Sequence, residues 1–130
     1  WFKKEFKGWD TIWHQLFENA STAFIPRPQY CIPFDQTWET LPNLTMLGDA
    51  AHLMPPYAGE GVNMAMLDAL ELAQCLVSDE FPDCHSAIAA YGRQMLSRAS
   101  ETAKMTMEQM DAMHSKEAIS NMLAMFSPNE

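Results

Sequence analysis

Residues 44–77 read LTMLGDAAHLMPPYAGEGVNMAMLDALELAQCLV, and the reading of this stretch decides the rest. The apolar run Leu44–Leu47 stops at Gly48-Asp49, which predicts a short buried strand. A loop with Pro55, Pro56, Gly59 and Gly61 follows. A helix is predicted over Gly61–Val77. Val62, Met66, Ala69, Leu70, Ala73, Leu76 and Val77 form its apolar face, with Asp68 and Glu71 off it. Strand, stiff loop and helix are a common means of holding a ligand against a helix N-terminus.

The chemistry of the loop can be stated residue by residue. Gly48 removes the side chain where the strand exits and permits close approach. Asp49 presents a carboxylate suited to accepting hydrogen bonds from sugar or polyol hydroxyls. It suits equally a turn role, bonding to nearby backbone N–H groups. Pro55-Pro56 makes a rigid wall without backbone donors, fitted to a flat ring. Gly59 and Gly61 flank a helix start whose unpaired amides and dipole favour negative charge. Gly59-Glu60-Gly61 resembles the opening of GxGxxG, but Met64 stands where the last glycine belongs, and the pyrophosphate fingerprint fails. His52 has no Ser or Cys nucleophile in a matching motif, so it is expected to be structural, bonding within the loop. No catalytic side chain is assigned.

Outward from this unit, Trp1, Phe2, Phe6, Trp9, Trp13, Leu16 and Phe17 recur at helical spacing, with Ile12 beside them. Gly8 weakens the first turns, and Asp10 is expected to cap a helix ending near Asn19. The aromatic stripe is expected to pack in the core. Phe24–Phe34, with three prolines, predicts an extended edge segment. Residues 35–43 predict a loop, with Trp38 packed down or at a pocket rim. A long helix is predicted from about Asp83 to His114, with Ile88, Tyr91, Met95, Ala99, Thr102, Met105, Gln109 and Met113 on one face. Ser115 is expected to cap a last helix through Phe126, whose apolar side is Ile119, Met122, Leu123 and Phe126. Seven of the 11 methionines fall after residue 94, which predicts adaptable packing. The expected fold class is thus α-rich α+β, four or so helices with two short extended segments.

Composition narrows the function. Eight basic against 17 acidic residues leave a formal charge of −9 over 130 residues. That argues against nucleic acid and against an anionic membrane surface as partners. Three cysteines without regular spacing fit a reducing cytoplasmic setting rather than a disulfide framework. The scattered histidines argue against a metal site. No apolar run reaches the ~20 residues of a membrane span. A start at Trp1 is expected of a processed chain or a fragment.

Gly48-Asp49-Ala50-Ala51-His52, then Pro55-Pro56, Gly59, Gly61, Asn63 and Asp68, closely resembles the second flavin-binding motif of the single-component FAD-dependent aromatic monooxygenases, the para-hydroxybenzoate hydroxylase-like family. The Trp9-Asp10 helix start, the proline-punctuated segment, His52–Gly59 and the Met-rich terminal helices resemble its tetracycline-inactivating branch. The resemblance implies FAD as cofactor, NADPH or NADH as co-substrate, and an aromatic or polycyclic small-molecule substrate. It implies cofactor binding by Gly48, Asp49, Pro55, Pro56, Gly59, Gly61, Val62 and Asn63, and substrate contact at Pro56, Tyr57, Ala58 and Gly59. It also implies that the chain is the C-terminal part of an FAD/NAD(P)-binding α/β fold lacking its N-terminal βαβ unit. Residues 1–43 would end a substrate-domain-like region, 44–81 would be the flavin-binding strand–loop–helix, and 82–130 the C-terminal helices, together one compact unit. Association with the missing N-terminal part, or self-association, is then expected. The alternative is a truncated, non-catalytic oligomeric helical module that has lost FAD binding.

Overall fold

The computed structural model describes residues 1–21, 23 and 25–127. Phe24, the first residue of the predicted extended segment, lies outside them. The described chain is a set of helices: α1 (Phe2–Glu5), α2 (Thr11–Asn19), α3 (Asp49–His52), α4 (Gly61–Val77), α5 (Cys84–Met113) and α6 (Ala118–Phe126), with a 3-10 turn at Pro56–Ala58 between α3 and α4.

Two helix boundaries follow from local chemistry. The α2 helix begins where the Asp10 carboxylate accepts the Ile12 N–H at 3.0 Å. The α5 helix begins where Asp83 accepts the Ser86 N–H at 2.7 Å, a bond that holds the Asp83 carboxyl below its usual range. Each satisfies a donor that a helix start leaves without an intrahelical acceptor. The α4 helix occupies Gly61–Val77 as predicted. The last helix departs from expectation: its N-cap is Glu117. Ser115 instead donates its hydroxyl to the Ala112 carbonyl at 2.8 Å, in the turn that closes α5.

The core lies where α3, α4 and α5 meet. Ala51, Met64, Tyr91, Met95 and Ala99 are buried together, and Ile32, Trp38, Met54, Leu72, Cys75 and Leu96 pack against them. Trp38 is therefore packed down. Three bonds hold the irregular segment before α3 onto this core. The Ile32 N–H donates to the Leu53 carbonyl at 3.0 Å, Gln36 Nε2 to the Ala51 carbonyl at 2.8 Å, and the Ser100 hydroxyl to the Phe34 carbonyl at 2.5 Å.

Four expectations are corrected. Among the described residues Leu44–Leu47 is not a strand; Leu44 makes one isolated antiparallel bridge to Leu41 and is 60% exposed. A strand needs neighbours on its hydrogen-bonding edges, and the described chain offers none here. The face of α4 that turns inward carries Met64, Asp68, Leu72 and Cys75, while Val62, Met66, Leu70, Leu76 and Val77 stay exposed. The buried face of α5 follows Ile88, Tyr91, Met95 and Ala99 as expected, then runs through Ala103 and Thr106, not Thr102 and Met105. The aromatic stripe of α1 and α2 is not core. Neither helix has a buried residue, and the rings pack on each other, Phe2 on Phe17 at 5.0 Å and Phe6 on Trp9 at 4.6 Å. A Lys3–Glu18 ion pair joins the two helices.

Candidate functional site

The loop after α3 is shaped by one buried hydroxyl. Thr106 donates its O–H to the Pro55 carbonyl at 2.7 Å and accepts the Ala58 N–H at 3.0 Å. A single α5 side chain thereby ties down both ends of the Pro55–Ala58 segment. The 3-10 turn ends at Gly59, in the left-handed region at φ 70° and ψ 10°. At the other end, Gly48 sits at φ 58° and ψ −145°, a combination near the region that only glycine occupies readily. A Cβ on Gly48 would lie 3.2 Å from the Ala65 Cβ on α4. Glycine there allows both the turn and the close passage of α4.

A cleft of about 770 Å³ opens between these pieces. Gly48, Asp49, Pro55, Pro56, Gly59, Gly61 and Val62 line it, and so does Ala58. Asn63 is not on it; its amide instead donates to Glu60 Oε2 at 3.3 Å. Tyr57 turns away from the cleft. Its ring meets His114 edge-on at 5.5 Å, and it lines a separate hollow of about 260 Å³ between α5 and α6 with Met113, Met122 and Phe126.

Two carboxylates line the cleft: Glu60 is engaged by the Asn63 amide and Asp49 is not. The Asp49 carboxylate is exposed and has no hydrogen-bond or ion-pair partner among the described residues. Glu60 at the N-cap of α4 makes no side-chain cap bond, and the first backbone bond there is Met64 N–H to the Glu60 carbonyl at 2.9 Å. The N–H groups of Gly61, Val62 and Asn63 are therefore left for an outside acceptor. The cleft thus offers backbone donors at one end, the Asp49 carboxylate and an apolar proline wall.

Behind the cleft lies a cluster that the sequence did not disclose. Asp68 is fully buried. Its Oδ2 accepts the Gly48 N–H at 2.9 Å and lies 2.5 Å from His52 Nε2; its Oδ1 accepts Arg98 Nη2 at 2.8 Å. Arg98 Nη1 also donates to Glu71 Oε1 at 3.0 Å. Burial opposes ionisation of Asp68, but the Gly48 N–H, Arg98 and His52 together hold its carboxyl below the usual range. Burial likewise opposes the charge on Arg98, and Glu71 and Asp68 more than compensate. His52 is structural, as expected, but its partner is on α4 and not in the loop. Its Nδ1 is buried without a hydrogen-bond partner among the described residues. The offset of 16, 20 and 30 residues between Asp68 and its three partners leaves no local signal; only the placement of Asp68 and Glu71 off the apolar face hinted at it. Tyr91 closes the same region, its O–H donating to the Met46 carbonyl at 3.1 Å. Burial, reinforced by the nearby Asp68 charge, pushes the Tyr91 phenol well above its ordinary pKa.

The described residues thus form a loop–helix unit with an open cleft, packed on a long helix. Its residues 41–81 match the family described as FAD binding domain. The chain is 40% identical over 78 residues to Monooxygenase penA of Penicillium thymicola, covering 55% of this chain and 18% of that protein. It is 38% identical over 93 residues to the dual O-methyltransferase/FAD-dependent monooxygenase CTB3 of Cercospora nicotianae, covering 70% and 11%. Over 101 residues it is 36% identical to the aurachin C monooxygenase/isomerase of Stigmatella aurantiaca, covering 75% and 25%. The chain spans between 11% and 25% of the length of these three relatives. Together the matches support the FAD-dependent monooxygenase family.

Proposed function

We propose that this chain is the C-terminal part of an FAD-dependent, NAD(P)H-using monooxygenase that inserts one oxygen atom from O₂ into an aromatic or polycyclic substrate. The observation that carries the proposal is the unbonded Asp49 carboxylate with the helix-start amides at the cleft, lying within the segment that matches the FAD binding domain. The residues present fit the ribityl–isoalloxazine half of FAD. Asp49 would accept hydrogen bonds from the ribityl hydroxyls. Pro55 and Pro56 would border the ring without offering donors. The amides of Gly61, Val62 and Asn63, at the positive end of a 17-residue helix, favour negative charge on the ring edge nearest them. Gly48 and Gly59 supply the backbone shape.

When bound, FAD supplies the redox chemistry that activates oxygen, and the protein supplies position and electrostatics. Pro56, Ala58 and Gly59 face the cleft and would border a substrate beside the ring. Tyr57, which faces the α5–α6 hollow, would contact a substrate extending that way. A tetracycline is the narrower reading, and it rests on the resemblance of residues 52–59 and of the Met-rich helices. The aurachin C enzyme among the relatives is named for a different compound, so a substrate panel should contain more than tetracyclines. The three-part division at residues 43 and 81 belongs to the same proposal, as does a cytoplasmic setting, which suits the three free cysteines. No helix among the described residues is long and apolar enough to cross a membrane.

A second reading has its own observation. Beyond the cleft, α4 leaves Leu70, Leu76 and Val77 exposed, and a non-catalytic oligomeric module would use such a face for self-association. On the first reading the same face takes the remainder of the enzyme.

Titrating FAD into the chain and into Asp49→Ala, followed by flavin fluorescence quenching, separates these readings. A charge-assisted hydrogen bond is worth about 1.5–3 kcal/mol, so Asp49→Ala should weaken binding about 10- to 100-fold. Equal affinity would remove Asp49 from the site. A chain that takes up no FAD, and forms oligomers, would favour the second reading.

A further inference from the structure

Among the described residues Asp49 has no hydrogen-bond or ion-pair partner to aim it. Its side chain is exposed, so its direction is set by the backbone of Gly48 and α3. Gly48 is held at both ends. Its carbonyl accepts the N–H groups of Ala51 and His52, each at 2.9 Å, which closes α3. Its N–H is buried and goes to a single acceptor, Asp68 Oδ2. The same oxygen meets His52, at the far end of α3. Asp68 therefore grips the short helix at its entry and its exit, while Arg98 on α5 neutralises it from the other side.

We infer that Asp68 is the positioning residue of the flavin site: it acts through Gly48 and His52 to point Asp49 at the ribityl chain, without touching the cofactor itself. This rests on the flavin reading of the cleft. Its consequence is chemically selective. Loosening the Gly48 turn should cost the contacts of the hydroxylated chain. It should spare the ring contacts, which are made by Pro55, Pro56 and the start of α4. The proline segment is tied down separately, through Thr106, and α4 also packs on α5 through residues other than the Asp68–Arg98 pair.

The test compares riboflavin with lumiflavin, which carries the ring but no ribityl chain, on the full 130-residue chain. Asp68→Asn is nearly isosteric, but one of its two terminal atoms becomes a donor, so it cannot serve Gly48, His52 and Arg98 together. Asp68→Asn should weaken riboflavin at least tenfold and lumiflavin less than twofold. Combined with Asp49→Ala it should bind riboflavin no more weakly than Asp49→Ala alone, because both act on one contact. Glu71→Gln loosens Arg98 without reaching Gly48 and should leave both affinities within twofold. Amide exchange at Gly48 gives a readout without ligand: its protection should fall at least tenfold in Asp68→Asn, while Met95 and Ala99 in α5 keep theirs.

Equal losses for riboflavin and lumiflavin would overturn the inference and make Asp68 a general stabiliser. Additive effects of the two substitutions would overturn it as well, as would unchanged Gly48 protection. If the unsubstituted chain binds neither compound, the flavin reading falls and takes the aim at a ribityl chain with it. The grip on the turn is then judged by Gly48 exchange alone.

Discussion

Replacing Gly48 by alanine tests the geometry of the loop most directly. The backbone at φ 58° and ψ −145° lies where an L side chain is strained, at a cost of order 1–3 kcal/mol. The new Cβ would also stand 3.2 Å from the Ala65 Cβ, so α4 must yield by a few tenths of an ångström. Overpacking of that kind adds about 1 kcal/mol. The total is about 2–4 kcal/mol, and with a urea slope of roughly 1–3 kcal/mol per M the unfolding midpoint should fall by about 0.7–4 M. Gly59→Ala is the comparison. Gly59 also has positive φ, at 70°, but open space surrounds its Cβ position, so only about 1 kcal/mol is expected. Urea unfolding followed by helical circular dichroism reads both. Adding Ala65→Gly to Gly48→Ala should recover about 1 kcal/mol beyond the effect of Ala65→Gly alone, since it removes the contact and leaves the strain. Equal midpoints for Gly48→Ala and Gly59→Ala would refute the close passage of α4 at Gly48.

Thr106→Val should cost about 1–3 kcal/mol in urea unfolding, because the Pro55 carbonyl and Ala58 N–H lose their buried partner. Thr106→Ser should cost less, and a serine variant as weak as valine would remove the hydroxyl from the account. Asp68 has a folded pKa below its ordinary 3.8, so its contribution to stability is present above that value and is lost as pH falls through the folded one. Denaturation series from neutral to acid pH should show this loss from about pH 4 downward and a flatter acid limb in Asp68→Asn; parallel limbs would count against it. Tyr91 is the opposite case: its folded pKa lies above 10.0, so the unfolded chain releases that proton first and stability falls as pH rises through 10.0. Tyr91→Phe should abolish that alkaline loss and cost about 1 kcal/mol at neutral pH, the bond to the Met46 carbonyl.

Legibility in the sequence followed the range of the interactions. The bounds of α4, the cap at Asp10, the start of α5 near Asp83, and a loop stiffened at Pro55-Pro56 rest on neighbours within a few residues, and they were readable. The cleft was readable as chemistry, and seven of its eight cofactor candidates line it. Asn63 does not, because its amide is drawn to Glu60 three residues away. Helical periodicity found the apolar stripe of α4 but not its direction. The spacing of apolar residues along a helix shows that one face is apolar and not what covers it. On α4 the covered face is the one that carries Asp68, because Arg98 and His52 compensate the buried charge, and the apolar stripe is left outside.

The sequence by itself determined α2, α4, α5 and the approximate extent of α6, the turn residues and the types of group offered to a ligand, since each depends on local backbone sterics or on side-chain chemistry; α3 was not among them. The tertiary structure alone decided three things. Leu44–Leu47 stays irregular because strand pairing requires an edge from elsewhere. Thr106 and Asp68, two polar residues on helices, are buried as anchors of the loop because acceptors and donors 16 to 51 residues away meet them. Asp49 stays free because Asp68 holds Gly48. A carboxylate accepts only from donors that come within about 3 Å, and the fold brings the buried Gly48 N–H to Asp68 while leaving Asp49 facing the cleft.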